Sequence, residues 1–288
     1  MKSYFQNFQF LDIQVKKMIS GNILGNYKSA FHGKGLEFEE FRHREEGEDS
    51  DNIDWFISAR EGKILTRRMK EERDMNVLHL VHITPSFFFW LQEKKKFEIL
   101  EHTLFLISLS ALQNGDKNAY MIFSQDSQEI YLPHSKKKEY LFQIYKHLEL
   151  IKKKNYFRTS PISFPPNIKN NLLFLYTDSF DLDFEKLKIL SLRNDIIVVH
   201  IFDSFENTLE SSHSAQKLFL FSWFSFTNLF IDTQDSEKKE TYKKIRQEKI
   251  QAFSLRLASF GIDYIMLDDT KNIYREFMKC MDKRTKKR

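Results

Sequence analysis

Beyond about residue 76 the chain alternates between short apolar runs and segments whose apolar residues have helical spacing. Val77–Val81 is a nearly continuous apolar run, and Phe97–Gln113 carries Phe and Leu at helical spacing before Asn114-Gly115, a left-handed stop. Two further apolar runs follow at Leu172–Tyr176 and Ile196–Phe202. This alternation is typical of a mostly parallel sheet with helices on both faces. We therefore predict an α/β fold in which the strands at residues 77, 172 and 196 lie adjacent and parallel.

The same pattern predicts the remaining elements after residue 76. They are strands over Ala119–Phe123 and Glu129–Leu132, a helix over Lys137–Lys154, a helix starting near Asp183, a hairpin over Leu218–Phe230, a helix over Asp235–Phe260 that ends at Gly261, a strand over Ile262–Leu267 and a helix over Ile273–Met281. The segment before residue 76 is dense in both charges and lacks enough periodic apolar positions to fold alone. We predict an irregular, short-stranded appendage over 1–75 that docks on an α/β domain over 76–288.

Charge and cysteine content narrow the classes of function. The net charge of +5 comes from 45 basic and 40 acidic residues, and part of the excess lies in the tail 283–288. Both signs are mixed elsewhere, so we expect no nucleic-acid partner. One cysteine, Cys280, excludes an intramolecular disulfide and favours a reducing compartment. The first residues lack a signal-peptide pattern and the longest apolar run is too short to span a bilayer, so we expect a cytoplasmic protein without an integral membrane segment.

A series of ordered motifs lies within the first 60 residues. A glycine-flanked Glu-Phe is followed by an Arg, a Gly-Glu-Asp and an Asp-Trp with Ser-Ala-Arg. The residues are Gly33, Gly35, Glu37, Phe38, Arg42, Gly47, Asp49, Asp54, Trp55 and Arg60. In this order they resemble the signature of the bacterial domain of unknown function 58 family. The resemblance implies a von Willebrand A-like, Rossmann-like domain after the signature, and it extends from roughly Gly25 to the C-terminus.

Two interpretations of the signature residues remain open. In the first, Arg42 and Arg60 form ion pairs with Asp49 and Asp54, and Trp55 packs the appendage onto the sheet. In the second, the same residues form a partner-binding surface, since arginine side chains and large aromatic rings suit protein interfaces.

The resemblance also implies a place to look for a metal ion. Von Willebrand A-like domains often bind Mg²⁺ where an Asp-x-Ser-x-Ser loop follows the first strand, with a later Asp completing the oxygen ligands. Here the corresponding loop is His82-Ile83-Thr84-Pro85-Ser86, and Asp178 matches the later carboxylate. Histidine in place of the first Asp removes one negative charge. We therefore expect no cofactor beyond Mg²⁺ bound no better than millimolar, and we expect His82→Asp to strengthen that binding.

The sequence lacks the common signatures of nucleotide-binding proteins and hydrolases, such as a phosphate-binding loop, a nucleophile elbow or a His-Glu-x-x-His motif. The main prediction is a non-catalytic protein-interaction adaptor. The resemblance implies that it works with a MoxR-type AAA+ ATPase and other von Willebrand A-like proteins in assembly or maturation of other proteins. One alternative is a metal-dependent ligand-binding or enzymatic module at the degenerate metal site. Another is nucleic-acid binding through the basic tail, which strong salt dependence would reveal.

Overall fold

A computed structural model describes residues 36–43, 53–71, 74–88, 95–124, 127–153, 168–208, 217–222, 227–232, 236–268 and 272–287. The strands are β1 (Leu36–His43), β2 (Leu65–Glu71), β3 (Asn76–Ile83), β4 (Lys117–Ser124), β5 (Ser127–Ser135), β6 (Leu172–Thr177), β7 (Asp195–Ile201), β8 (Lys217–Ser222), β9 (Thr227–Asp232) and β10 (Asp263–Leu267). The helices are α1 (Trp55–Glu61), α2 (Lys95–Gln113), α3 (Glu139–Lys153), α4 (Phe184–Ser191), α5 (Ser204–Thr208), α6 (Ser236–Ser259) and α7 (Ile273–Lys287), and a short 3-10 helix covers Pro85–Phe88.

Six strands form the central sheet in the order β10-β7-β6-β3-β4-β5. Every neighbouring pair is parallel except β4 and β5, which form an antiparallel hairpin at one edge. The predicted adjacency is confirmed: Leu78 of β3 pairs with Leu173 of β6, and Leu173 pairs with Ile196 of β7. The α/β fold class is thereby confirmed, and the mostly parallel sheet is consistent with a Rossmann-like or von Willebrand A-like fold.

The central strands are buried on both faces, which explains why their sequences are nearly continuous apolar runs rather than alternating ones. One face packs against α2, α3 and α7, and its core includes Phe97, Leu104, Ile144, Leu148, Phe277 and Met281. The other face packs against α4 and α6, with Leu187, Leu190, Phe253 and Leu257. Each such side chain contributes on the order of 1.5–3 kcal/mol on burial.

Helix ends follow the local signals in the sequence. Asp183 caps α4, because its side chain accepts a hydrogen bond from the backbone N–H of Lys186. Gly115 and Gly261, each the second residue after the end of α2 and of α6, adopt φ of 86° and 72°, a left-handed geometry that L side chains rarely adopt. The predicted ends of both helices lie within a residue or two of the observed ones.

The last helix extends further than the apolar periodicity predicts. We expected a helix over Ile273–Met281, whereas α7 runs to Lys287. Arg284 explains the extra turns, because its guanidinium forms ion pairs with Asp263 of β10 and Asp195 of β7. A polar clamp onto the sheet edge replaces apolar packing there. Cys280 is buried in this helix, and burial raises the pKa of its thiol to about 12, which keeps it in the unreactive protonated form.

A polar cluster lies inside the sheet at His79 of β3. Its Nδ1 lies 2.9 Å from the Tyr176 hydroxyl, and its Nε2 lies 3.0 Å from Asn118 Oδ1 and 3.1 Å from Ser108 Oγ. Burial lowers the pKa of His79 to about 4, so the imidazole is neutral at pH 7. The neutral ring then donates from one nitrogen and accepts at the other, which satisfies a buried polar group.

The described part before residue 76 contains the antiparallel pair β1 and β2 with α1 between them. Asp54 caps α1, and its backbone N–H donates to the Leu65 carbonyl at 3.0 Å. Ser58 of α1 accepts a 2.8 Å hydrogen bond from the Leu65 N–H, which ties the helix to β2. β8 and β9 form the predicted antiparallel hairpin. Among the described residues, no helix combines the length and apolar character that crossing a membrane requires.

Candidate functional site

The candidate site lies beyond the carboxyl ends of β3 and β6. The chain proceeds from β3 to β4 on one side, and β6 then returns to the other side of β3, so the strand order reverses between β3 and β6. In open α/β sheets such a reversal forms a crevice in which ligands commonly bind. Thr84 and the 3-10 helix Pro85–Phe88, which contains Ser86, follow β3, and Asp178 follows β6. Three of the predicted metal ligands are therefore brought to one place by the sheet topology.

Two hydroxyl groups converge on the carboxylate of Asp178. The Thr84 hydroxyl donates to Oδ1 at 2.6 Å, and the Ser86 hydroxyl donates to Oδ2. The same two hydroxyls lie 3.0 Å from each other, and the Ser86 N–H donates to Thr84 Oγ1 at 3.3 Å, so the loop is held in a tight turn. Both carboxylate oxygens of Asp178 therefore already accept hydrogen bonds from protein groups. We call Thr84, Ser86 and Asp178 the rim cluster.

Lys96, which the sequence analysis did not predict as a site residue, also contacts the rim cluster. Lys96 lies in the first turn of α2, and its Nζ is 3.1 Å from Asp178 Oδ2 and 3.4 Å from Ser86 Oγ. The same Nζ forms an ion pair with Glu206 Oε1. Lys96 is 3% exposed, so this charge is held inside the protein rather than at its surface. Lysine is rarely buried without charged partners, and here it has two.

Glu206 of α5 links the rim cluster to the long helix α6. Its other oxygen, Oε2, lies 3.2 Å from an Arg246 Nη atom. Tyr242, one turn before Arg246, donates its hydroxyl to the Glu206 carbonyl at 2.8 Å. The Arg246 guanidinium also lies 4.8 Å from the ring centres of Phe180 and Phe202. Two cations and two carboxylates thus alternate in one chain: Asp178, Lys96, Glu206 and Arg246.

The electrostatics of the Lys96 and Asp178 pair favour the charged form of both groups. Burial alone would lower the pKa of Lys96, but the charges of Asp178 and Glu206 raise it above the ordinary lysine value. Burial would likewise raise the pKa of Asp178, but Lys96 and the hydrogen bonds from Ser86 and Thr84 hold it below the ordinary aspartate value. We therefore treat the pair as an ammonium and a carboxylate at neutral pH.

His82, which stands where the resemblance would have an aspartate, faces a different partner. It is buried, and its Nδ1 lies 3.1 Å from the Thr177 hydroxyl oxygen. Thr177 Oγ1 also accepts the Ser179 N–H at 3.1 Å, so its own proton is available to His82. Which of the two atoms donates this hydrogen bond depends on the tautomer of His82. The structure joins His82 to the neighbouring strand β6 through Thr177.

The rim cluster as it stands does not fit Mg²⁺. A hard cation needs free oxygen lone pairs in octahedral geometry, whereas the Asp178 oxygens accept hydrogen bonds from Thr84, Ser86 and Lys96. A buried ammonium within 3.1 Å of Asp178 would also repel a divalent ion at the same carboxylate. Across the described residues there is no group of three or more His, Cys, Asp or Glu side chains that could hold a metal ion.

The signature residues before β3 lie apart from the rim cluster in sequence, and the structure describes some of them. Asp54 is buried and accepts hydrogen bonds from the Phe56 and Ile57 N–H groups at 3.1 Å, as a helix cap. Arg60 is exposed in the last turn of α1, where a positive charge interacts favourably with the helix dipole. Glu37 and Arg42 lie in β1. Gly33, Gly35, Gly47 and Asp49 lie outside the described residues.

Trp55 corrects the packing interpretation. In the first of the two interpretations left open above, Trp55 packs the appendage onto the sheet, but it is 66% exposed, and the adjacent Phe56 is 77% exposed. The reason lies in how α1 is held: the small side chain of Ser58 bonds to the backbone of β2 and draws the helix close to the strand. The two large aromatic side chains are left at the surface.

Comparison with known proteins supports the resemblance that the motifs suggested. Residues 40–249 match the model of a family described as "Protein of unknown function DUF58". The chain belongs to this family. No curated protein matches the sequence. Among solved structures, the chain is similar to the D319A mutant of the PilB minor pilin from Streptococcus sanguinis, with 11% identity over 78% of this chain and a TM-score of 0.33. The match spans 64% of the pilin chain, less than two thirds of its length.

Sequence reasoning predicted Thr84, Ser86 and Asp178 as a group but missed Lys96, Glu206 and Arg246. Lys96 belongs to the run Lys94-Lys95-Lys96, and such a run of lysines at the start of a helix is typical of side chains exposed to solvent. The available signal was the phase of the helix: Lys96 lies four residues before Leu100, a position on the buried face of α2. A charged residue in phase with a buried apolar stripe indicates a buried ion pair.

Proposed function

We propose that this DUF58 protein is a non-catalytic protein-interaction module that works with a MoxR-type AAA+ ATPase in the assembly or maturation of other proteins. The observation that carries the proposal is the pair of exposed aromatic residues Trp55 and Phe56 at the start of α1. Trp is among the residues that most often dominate binding energy at protein interfaces, and Phe is enriched in the cores of such interfaces. Trp55 is one of the signature residues, and Phe56 is the residue that follows it.

The backbone beneath these two side chains is well fixed, which lowers the entropic cost of binding. Asp54 caps α1, Ser58 ties α1 to β2, and Ile53 forms a bridge with Thr66. A preorganised aromatic pair loses less conformational freedom on binding than a pair on a mobile loop. Exposed Phe41 of β1 and Ile64 add apolar surface in the same part of the chain. We call Phe41, Trp55, Phe56 and Ile64 the aromatic surface.

The rim cluster favours the adaptor over the metal-dependent alternative. Its carboxylate is bound by two hydroxyls and an ammonium, so it offers neither a free general base nor free metal ligands. Basic residues in the tail are a weaker argument for nucleic-acid binding, since the described helices and strands carry both signs of charge. The MoxR-type partner rests on the family membership and on what the signature implies.

The proposal is tested with the tagged protein expressed in its own host. The test variant is Trp55→Ser with Phe56→Ser, and the matched control is Ile189→Ser with Leu192→Ser, since those apolar residues of and after α4 are 57% and 79% exposed. We expect the wild type and the control to recover an AAA+ ATPase, and the test variant to lose it. With the purified ATPase, the test variant should bind at least about tenfold more weakly. Undiminished binding by the test variant would contradict the proposal.

A further inference from the structure

The rim cluster has the hydroxyls and the carboxylate of a cation site, but its cation is part of the chain. The ammonium of Lys96 has three N–H groups, and three oxygen partners surround it: Asp178 Oδ2 at 3.1 Å, Ser86 Oγ at 3.4 Å and Glu206 Oε1. Each N–H therefore has an acceptor. Because Lys96 is only 3% exposed and its ammonium is fully hydrogen-bonded, the ammonium is fixed in position.

The charges of the cluster balance without any added ion. Asp178 and Glu206 carry one negative charge each, and Lys96 and Arg246 carry one positive charge each. Removing the Lys96 charge would leave two carboxylates and the Ser86 hydroxyl around the point where Nζ lies, with the Thr84 hydroxyl 3.0 Å from the Ser86 hydroxyl. Such an all-oxygen set with two negative charges is what Mg²⁺ and Mn²⁺ prefer.

We propose that Lys96 is a built-in cation that takes the place of a divalent ion at this rim, and that loss of its side-chain charge uncovers a latent divalent-cation site formed by Asp178, Glu206, Thr84 and Ser86. The rim is then assembled at all times, whatever the concentration of divalent ions. This inference does not depend on the proposed partner or on the aromatic surface.

Lys96 and its partner Glu206 are each held in position by neighbouring residues. The lysine is placed by α2, whose buried residues Phe97 and Leu100 anchor the first turn in the core. Its Nζ lies 6.0 Å from the centre of the Phe87 ring, which closes the apolar side of the site. Glu206 is held in turn by Arg246 and by the Tyr242 bond to its carbonyl. Both carboxylates therefore have supports that remain after Lys96 is changed.

The experiment measures Mn²⁺ binding by the full-length protein, using calorimetry and the electron paramagnetic resonance signal of free Mn²⁺. The variants are Lys96→Ala and Lys96→Gln, and the matched control is Lys146→Ala, an exposed lysine of α3. We expect wild type and control to bind no better than millimolar. Both Lys96 variants should gain at least about tenfold in affinity and should melt at a higher temperature when Mn²⁺ is added.

A double variant tests whether Glu206 is one of the ligands of the bound ion. Adding Glu206→Gln to Lys96→Ala should remove most of the gain, because Glu206 supplies half of the negative charge of the latent site. Three results would overturn the proposal. They are tight Mn²⁺ binding by the wild type that is lost in Asp178→Asn, no gain in either Lys96 variant, and Lys96 variants that are unfolded and are not restored by Mn²⁺.

Discussion

Lys96 and Asp178 are 82 residues apart in the chain, yet the ammonium of one lies 3.1 Å from the carboxylate of the other in the crevice between β3 and β6. The two side chains are almost completely buried. A buried pair of this kind does not by itself stabilise a protein much, because both ions lose their hydration. Its value here is positional, since it fixes the first turn of α2 to the loop after β6.

Removing one member of this pair should be costly. Asp178→Ala would leave the Lys96 charge beside Glu206 alone and would leave the Thr84 and Ser86 hydroxyls without their shared acceptor. We expect a loss of about 3–5 kcal/mol in the free energy of unfolding. Asp181→Ala, an exposed aspartate three residues further along the same loop, is the control and should change it by less than about 0.5 kcal/mol. Urea denaturation measures both, and equal losses would show that the pair has no special role.

The structure also changes the expected outcome of His82→Asp. From the sequence alone this substitution should strengthen Mg²⁺ binding, but Lys96 now lies at the carboxylate that the ion would need. We expect His82→Asp alone to gain less than about threefold in affinity, and His82→Asp with Lys96→Ala to exceed both single variants, because the added carboxylate raises the negative charge of the set. Calorimetry with Mg²⁺ distinguishes them. A large gain by His82→Asp alone would show that Lys96 does not block the ion.

Asp54 should matter to stability as a helix cap. Asp54→Ala removes the acceptor for the Phe56 and Ile57 N–H groups and should cost about 1 kcal/mol, whereas Asp54→Asn keeps an acceptor and should retain most of that stability. Asp51→Ala, in the same charged segment, is a second comparison, and we expect it to lower the melting temperature less than Asp54→Ala does. Thermal melting of the three variants tests this. If Asp54→Ala and Asp51→Ala melt at the same temperature, the cap is unimportant.

His79 predicts how stability depends on pH. Its pKa is lowered to about 4 in the folded protein and is about 6.5 when the chain is unfolded, so the unfolded state binds more protons between these values. The contribution of neutral His79 to the free energy of unfolding is fully present above pH 6.5 and is lost as the pH falls toward 4. The loss across this window is roughly 3 kcal/mol.

Replacing His79 by glutamine isolates that contribution. His79→Gln should be less stable at pH 7 but should show a shallower fall toward pH 4 than the wild type. His43→Gln, at an exposed position of β1, should follow the wild-type curve. Denaturation midpoints at several pH values give the slopes. Parallel curves for wild type and His79→Gln would mean that another group controls the acid sensitivity.

Much of the fold followed from local patterns, whereas the centre of the candidate site did not. Strands such as β3 and β6 are apolar on both faces, and Gly115 and Gly261 mark helix ends, so the element order and the parallel pairing were predictable. The family resemblance implied the grouping of Thr84, Ser86 and Asp178, and the observed strand order explains why they converge. The contacts of Lys96 with Asp178 and Glu206 depend on side-chain direction across three separate elements, which no local pattern encodes. The sequence could not decide between the two interpretations of Trp55, because an apolar residue near a predicted core need not face it, and the structure shows Trp55 exposed.

The central claim, a non-catalytic module that binds its ATPase partner through the aromatic surface, is tested most directly by hydrogen exchange of the purified protein with and without the MoxR-type AAA+ ATPase of the same host. We predict that the amides of residues 53–66 gain protection in the complex, and that the protection disappears in Trp55→Ser with Phe56→Ser. A complex that forms with protection elsewhere and none at 53–66, or no complex at all, would contradict the account.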